Sequence, residues 1–259
     1  MCELLGMSAN VPTDICFSFS GLIKRGGETG SHKDGWGIAF YEGKGYRSFH
    51  DPVASANSEV AKFIQQYSIK STQVICHIRK ANRGRVCLEN THPFSRELWG
   101  QIWSFAHNGQ LKGIKKKKLN GYTPVGTTDS EHAFCWILGQ LRQAFPTKPK
   151  SKIKLRNSVE RLCREVANHG VFNVLMSDAE NLYVYCNTKL SWLTRQAPFV
   201  EAQLVDADLC VDFKKETSQE DVVTVIATEP LTSNEQWAKM AVGEFSVFRL
   251  GEKEFTSVN

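Results

Sequence analysis

A thiol at Cys2, a guanidinium at Arg79, the pair Asn108-Gly109 and a carboxylate at Asp129 are the side chains of this 259-residue sequence whose types could do chemistry together. Removal of Met1 would leave Cys2 with a free α-amine on its own Cα. A thiol titrates near about 8.5 and an α-amine near about 7.7–8.0, so the amine can take the thiol proton close to neutrality, giving nucleophile and base in one residue. The competing reading of Cys2 by itself is a small apolar residue at a frayed terminus. Arg79 ends the apolar run 74–78, and a buried guanidinium fork needs an anion, either a substrate carboxylate or an internal Asp or Glu. Asn108-Gly109 closes an alternating strand. It reads as a type I′ hairpin turn, or as a side-chain amide and a backbone N–H aimed at a developing oxyanion, where loss of one donor costs about 2.7–4 kcal/mol. Asp129 opens a helix, where the macrodipole favours a carboxylate in any case, yet the same carboxylate can face a substrate ammonium. Jointly these groups complement glutamine: its carboxylate meets Arg79, its ammonium Asp129, its side-chain carbonyl carbon the thiolate, and its carbonyl oxygen the Asn108 and Gly109 donors.

Other segments carry weaker signals. The glycine-rich stretch from Arg25 through His32-Lys33-Asp34-Gly35-Trp36-Gly37 suits either a close backbone approach to a ligand or a simple hairpin turn. The loop after Arg79, Lys80-Ala81-Asn82-Arg83-Gly84, makes Lys80 and Asn82 secondary candidates for substrate contacts, with Trp36 beside them. No metal site is expected. His132 and Cys135 lie one helical turn apart and Cys76 adjoins His77, but neither pair has the partners of a tetrahedral zinc centre. The remaining histidines look scattered, and the six tryptophans look like core and loop anchors. The run Lys115 to Lys118 lacks interleaved aromatics and reads as a solvated loop rather than a phosphate groove.

Those residues need a frame. Short β-like runs recur at 37–41, 74–78, 102–106, 172–176, 182–186 and 222–227, and helical period appears at 58–66, 129–145 and 158–169. In the 129–145 helix Phe134, Ile137, Leu138, Leu141 and Phe145 form one stripe, and Thr128-Asp129-Ser130-Glu131 reads as its capping box. Strands and helices do not alternate, which predicts an α+β fold of mainly antiparallel sheets covered by helices. The segment 146–152 reads as a surface connection, and one domain spanning 2–255 is expected. Hydrophobic residues at 41% and charged residues at 23% exclude a disordered or fibrous chain. A net charge of +5 is mildly basic and too dispersed to imply nucleic acid by itself, and no nucleic-acid partner is expected. Eight cysteines without a CxxC pair read as reduced thiols, and neither an apolar stretch of membrane-spanning length nor a signal-peptide pattern is present, so a cytoplasmic protein without membrane contact is expected.

At Cys2, Asp34-Gly35-Trp36-Gly37, His77-Ile78-Arg79, His107-Asn108-Gly109, Thr128-Asp129-Ser130-Glu131 and the segment 223–231, in that order, the sequence resembles class II glutamine amidotransferases, the Cys-opening branch of the N-terminal nucleophile hydrolases. It looks most similar to their stand-alone, YafJ-type members. The resemblance implies a four-layer αββα sandwich, Cys2 as nucleophile with its own amine as base, Asn108 and Gly109 as oxyanion hole, Arg79 and Asp129 holding the amino-acid end of glutamine, no cofactor, and hydrolysis through a thioester with release of ammonia. Larger members carry a stretch resembling Trp-Ala-Thr-His-Gly after the Arg, where this sequence has Lys80-Ala81-Asn82-Arg83-Gly84. After about residue 255 no attached synthase domain is expected, so the resemblance implies that ammonia goes to a separate partner or to water. Some stand-alone relatives hydrolyse other γ-glutamyl compounds, an alternative that uses the same pocket. A binding-only regulatory subunit is the non-enzyme alternative, against which the retained thiol speaks.

Overall fold

Two antiparallel sheets face each other and a helix pair covers each outer face in the computed structural model, which describes residues 2–81, 84–215 and 217–258. In chain order the strands are β1 (Glu3–Asp14), β2 (Trp36–Glu42), β3 (Gly45–Asp51), β4 (Lys70–Ile78), β5 (Phe94–Leu98), β6 (Gln101–Leu111), β7 (Gly170–Ser177), β8 (Leu182–Cys186), β9 (Ser191–Arg195), β10 (Glu201–Gln203), β11 (Cys210–Asp212), β12 (Val223–Ala227), β13 (Ala238–Lys239), β14 (Glu244–Arg249) and β15 (Glu252–Ser257). The helices are α1 (Cys16–Lys24), α2 (Glu59–Gln66), α3 (Asp129–Ala144) and α4 (Lys152–Ala167). One sheet runs β13-β9-β12-β1-β4-β2-β3 and the other β15-β14-β8-β7-β6-β5, with β10 and β11 paired apart.

The alternation along β1 explains the layering. Leu5, Met7 and Ala9 join Phe19 and Leu22 of α1 and Ile64 of α2 on one face. Leu4 points the other way, into an inter-sheet core with Ile75, Ala106, Leu175 and Val184. At Gly6 a Cβ would lie 3.1 Å from Leu175 and 3.2 Å from Leu182, so this glycine lets the sheets close on each other. The outer face of the second sheet buries Trp103, Phe105 and Phe172 against Phe134, Ile137 and Leu141 of α3 and Leu155, Val159 and Leu162 of α4. Each such side chain contributes about 1.5–3 kcal/mol by leaving water. The expected αββα sandwich of antiparallel sheets is the observed one.

Three local expectations change. Asn108-Gly109 is not a hairpin: β6 runs on to Leu111, paired with β7 from Ser104↔Ser177 to Leu111↔Gly170. Tertiary pairing overrides the turn preference of the dipeptide. The capping box of α3 is half formed: Thr128 Oγ1 accepts from Glu131 N at 3.1 Å, but the Glu131 carboxylate turns to Val125 N, Gly126 N and Arg96 instead of back to the cap. Helix α4 begins at Lys152 behind the cap Ser151, whose hydroxyl accepts from Lys154 N. Its first turn is exposed, which hid it from an apolar-period reading.

Candidate active site

Register brings the candidate residues to one end of the sandwich. Glu3 pairs with Ile78 across β1 and β4, so Cys2 and Arg79, one residue beyond each strand, lie beside each other. The pair opens on a cavity of about 610 Å³ that Cys2, Arg79, Lys80, Asn108, Gly109 and Asp129 all line. Four separate stretches of sequence thus supply one pocket. Trp36, a secondary candidate, is not among its walls. It is fully buried in the core under α1, 5.6 Å from the Phe19 ring, because residue parity in β2 turns it to the helix face. Asn82 lies outside the described residues.

Cys2 is half-buried, and its backbone is gripped by Asn108: Cys2 N donates to Asn108 Oδ1 at 2.9 Å, and Asn108 Nδ2 donates to Cys2 O at 2.5 Å. Lys80 holds the sulfur, with Lys80 N donating to Sγ at 3.3 Å and Sγ facing Lys80 O at 3.6 Å. Burial pushes the Cys2 thiol above its ordinary value, opposed by the Lys80 N–H and by the nearby Arg79 charge. The thiol is therefore mostly protonated at neutral pH and needs a base to act. Further along β1, Leu4 N donates to Thr228 Oγ1 at 2.9 Å and Thr228 N to Leu4 O at 3.1 Å, which fixes the strand that carries Cys2.

Arg79 is 5% exposed, and among the described residues no Asp or Glu lies within ion-pair distance of it. Among the described residues its guanidinium donates to the Arg85 carbonyl alone, from Nη1 at 3.0 Å. A buried guanidinium with one neutral acceptor retains donors for an anion in the cavity. The glycine loop sets its backbone: Arg79 N donates to Gly35 O, Asp34 N to Arg79 O, and Asp34 Oδ2 accepts from Ala81 N at 2.7 Å. At Gly37 a Cβ would sit 2.3 Å from the His92 carbonyl, so the close approach, rather than a hairpin, explains that glycine.

Asn108 is buried, and its own carbonyl accepts from Asn173 Nδ2 at 3.2 Å. Asn173 in turn takes the Asn187, Thr188 and Lys189 N–H groups on its Oδ1. At Gly109 a Cβ would meet Val171 O at 1.9 Å and His107 Nε2 at 2.7 Å, so no side chain fits between β6 and β7 there. Asp129 ties the end of β6 to the start of α3, with Oδ2 accepting from Leu111 N at 2.7 Å and Oδ1 from Ser130 N at 3.0 Å. The helix-start explanation of Asp129 thus holds, and the same carboxylate also lines the cavity.

Sequence reading missed a histidine cluster. His77, His92 and His107, spread in sequence, all line the cavity and are at most 4% exposed. The His77 and His92 rings lie 4.3 Å apart, and their four nitrogens find no partner of good geometry among the described residues. Burial drives His77 down to about 3, with His107 and Arg79 adding repulsion, and burial likewise holds His92 well below its ordinary value. His107 is also depressed by burial. Its tautomer follows from its partners: Val171 O at 2.9 Å only accepts, so Nε2 carries the proton and Nδ1 accepts from Ser130 Oγ at 2.8 Å. Three neutral rings leave, among the described residues, Arg79, Lys80 and Lys115 as the charged cations of the wall and Asp129 as its anion. Among the described residues no group of His, Cys, Asp and Glu has the makings of a metal site.

An αββα sandwich with a thiol at the head of a central strand, facing a cavity at the sheet ends, is the architecture of N-terminal nucleophile amidotransferases. The glutamine phosphoribosylpyrophosphate amidotransferase of Bacillus subtilis shares this fold, with a TM-score of 0.62 at 14% identity over 99% of this chain and 49% of that one. Residues 1–259 match the model of the family described as glutamine amidotransferases class-II, and the chain belongs to that family of enzymes. It is 58% identical over 98% of its length to the Escherichia coli K12 protein YafJ, named as a candidate glutamine amidotransferase, and covers 99% of that protein. A Haemophilus influenzae protein named in the same way is 47% identical over 98% of this chain and 86% of its own length. A Pseudomonas aeruginosa crystal structure of a predicted glutamine amidotransferase superposes with a TM-score of 0.79 at 53% identity, covering 98% of this chain and all of that one.

Proposed function

We propose that this enzyme hydrolyses the side-chain amide of glutamine through a Cys2 thioester, in the cytoplasm, as one domain spanning 2–255 with Met1 removed. The observation that carries the reading is that Cys2, Arg79, Asn108, Gly109 and Asp129 line one cavity. Arg79, lacking an acidic partner among the described residues, takes the α-carboxylate, and Asp129 takes the α-ammonium with the lone pairs that Leu111 and Ser130 leave it. The Cys2 amine accepts the thiol proton, and Asn108 Oδ1 holds that amine in place at 2.9 Å. Sulfur attacks the γ-carbonyl carbon as a C–S bond forms. The oxyanion is met by the Gly109 N–H and the second Nδ2 hydrogen of Asn108, the first being engaged by Cys2 O. Collapse breaks the C–N bond, the amine returns its proton to the leaving nitrogen, and ammonia departs. Water, deprotonated by the same amine, then cleaves the thioester to glutamate. Ammonia passes to water or to a separate synthase partner.

Intact mass is expected to show loss of Met1, and 6-diazo-5-oxo-norleucine to add once, at Cys2, with loss of glutaminase activity. Active enzyme that keeps Met1, or labelling at another cysteine, would refute the mechanism. Hydrolysis of a γ-glutamyl compound other than glutamine is the second reading, favoured by a cavity roomier than a free amino acid needs.

A further inference from the structure

The cavity carries more positive charge than glutamine can answer. Its charged walls among the described residues are Arg79, Lys80, Lys115 and Asp129, and the three histidines beside them are held neutral by burial. Zwitterionic glutamine matches one cation and one anion, Arg79 and Asp129. Two lysines remain. Neither has an acidic partner among the described residues: Lys80 Nζ donates to Ser31 Oγ at 2.7 Å, and Lys115 Nζ to the Thr127 carbonyl at 2.6 Å. Both ammonium groups rest on neutral acceptors and keep further hydrogens for an anion.

Their placement is built rather than incidental. Lys80 directly follows Arg79 beside Cys2 and its backbone N–H donates to the sulfur, while its ammonium is held on Ser31, which is not among the cavity walls. Lys115 sits on a short turn after β6, seated by the fully buried Ile114, and its bond to Thr127 sets it next to the Thr128 cap and Asp129. In Lys115 to Lys118 the members have different employment: Lys117 pairs with Glu165 and lies over the Trp136 ring, whereas Lys115 turns into the wall of the cavity.

On the reading of the site as a γ-glutamyl amide hydrolase, we propose that Lys80 and Lys115 form a subsite for an anionic leaving group, so that the preferred substrate is a γ-glutamyl amide whose amine portion bears a carboxylate, as in a γ-glutamyl amino acid or peptide. The chemistry is the same as for glutamine: a C–S bond forms at the γ-carbonyl carbon, the C–N bond breaks, and the leaving amine takes the proton held by the Cys2 amine. Water then releases glutamate and restores the thiol. The lysines touch only the departing half and act through charge, so their contribution falls with ionic strength.

The test compares kcat/KM for γ-glutamylglycine with that for γ-glutamylglycinamide, which differ only in the charge of the leaving group, with glutamine as the reference amide. Wild-type enzyme is expected to favour the carboxylate by about tenfold at low salt, the size of two partly exposed ion pairs. The ratio should fall severalfold in Lys115→Gln and Lys80→Gln, drop below one in Lys115→Glu, and shrink in high salt. Lys115 is exposed, and far-UV circular dichroism with a thermal melt checks that each variant is folded. A wild-type ratio near one, or a ratio that Lys115→Glu leaves unmoved, overturns the subsite while Cys2-dependent glutamine hydrolysis still stands. Absence of Cys2-dependent release from all three amides overturns the hydrolase reading and the subsite with it.

Discussion

Acidification should destabilise this enzyme through the floor of its active site, and His77 gives the size of the effect. In the folded chain His77 stays neutral down to about 3, because burial disfavours its charged form and Arg79 and the neighbouring histidines add repulsion. In the unfolded chain it titrates near about 6.5. The folded value is the lower one, so the unfolded state binds the extra proton. The contribution of this group is fully present above about 6.5 and is lost as pH falls from there towards 3. Between pH 7 and 5.5 the linkage relation gives a loss of about 1.3 kcal/mol from His77. His92 is depressed by the same cause and adds in the same direction. Urea unfolding of wild type and His77→Asn at both pH values isolates the term, since Asn does not titrate. The variant will be weaker at both, but its further loss on acidification should be smaller than that of wild type by about 1.3 kcal/mol. An equal loss in both proteins would refute the reasoning, as would an NMR titration of the His77 ring with a midpoint near the unperturbed value.

Other substitutions separate chemistry from support. Gly109→Ala places a methyl carbon 1.9 Å from Val171 O, so β6 and β7 must part beside Cys2. We expect loss of activity and a cost of roughly 3 kcal/mol or more in denaturant unfolding, whereas a stable, active variant would contradict the strand pairing at that point. Arg79→Lys keeps the charge but loses the planar fork, so KM for glutamine should rise about tenfold with a smaller change in kcat; an unchanged KM would remove Arg79 from the carboxylate site. Glu131→Ala strands Arg96 and two backbone N–H groups ahead of α3, and should lower stability by about 3 kcal/mol, seen as an earlier urea midpoint. Cys2 labelling should persist in that variant at temperatures where it is folded.

Antiparallel sheets covered by helices were legible in the sequence from the apolar runs that became β4 and β6 and the 3.6-residue stripe of α3, whereas the αββα layering came from the family resemblance and β1 was not among the runs read. The candidate residues were legible because their chemistries complement one small molecule, an argument that needs residue types and no distances. What only the tertiary structure decided concerns neighbours remote in sequence. Whether Arg79 faces an internal carboxylate depends on everything folded around it, and none among the described residues is there. Asn108-Gly109 has the local preference of a turn, yet pairing with β7 keeps it extended, and the Asn108 side chain bonds the backbone of Cys2, 106 positions away. Trp36 went to the core through the parity of β2. His77, His92 and His107 looked scattered because their common wall arises where the end of β4, the loop before β5 and the middle of β6 meet. A sequence states what each residue is able to do; burial and register, which sum over the whole chain, hold those histidines neutral and leave two lysines at the cavity wall with no acidic partner among the described residues.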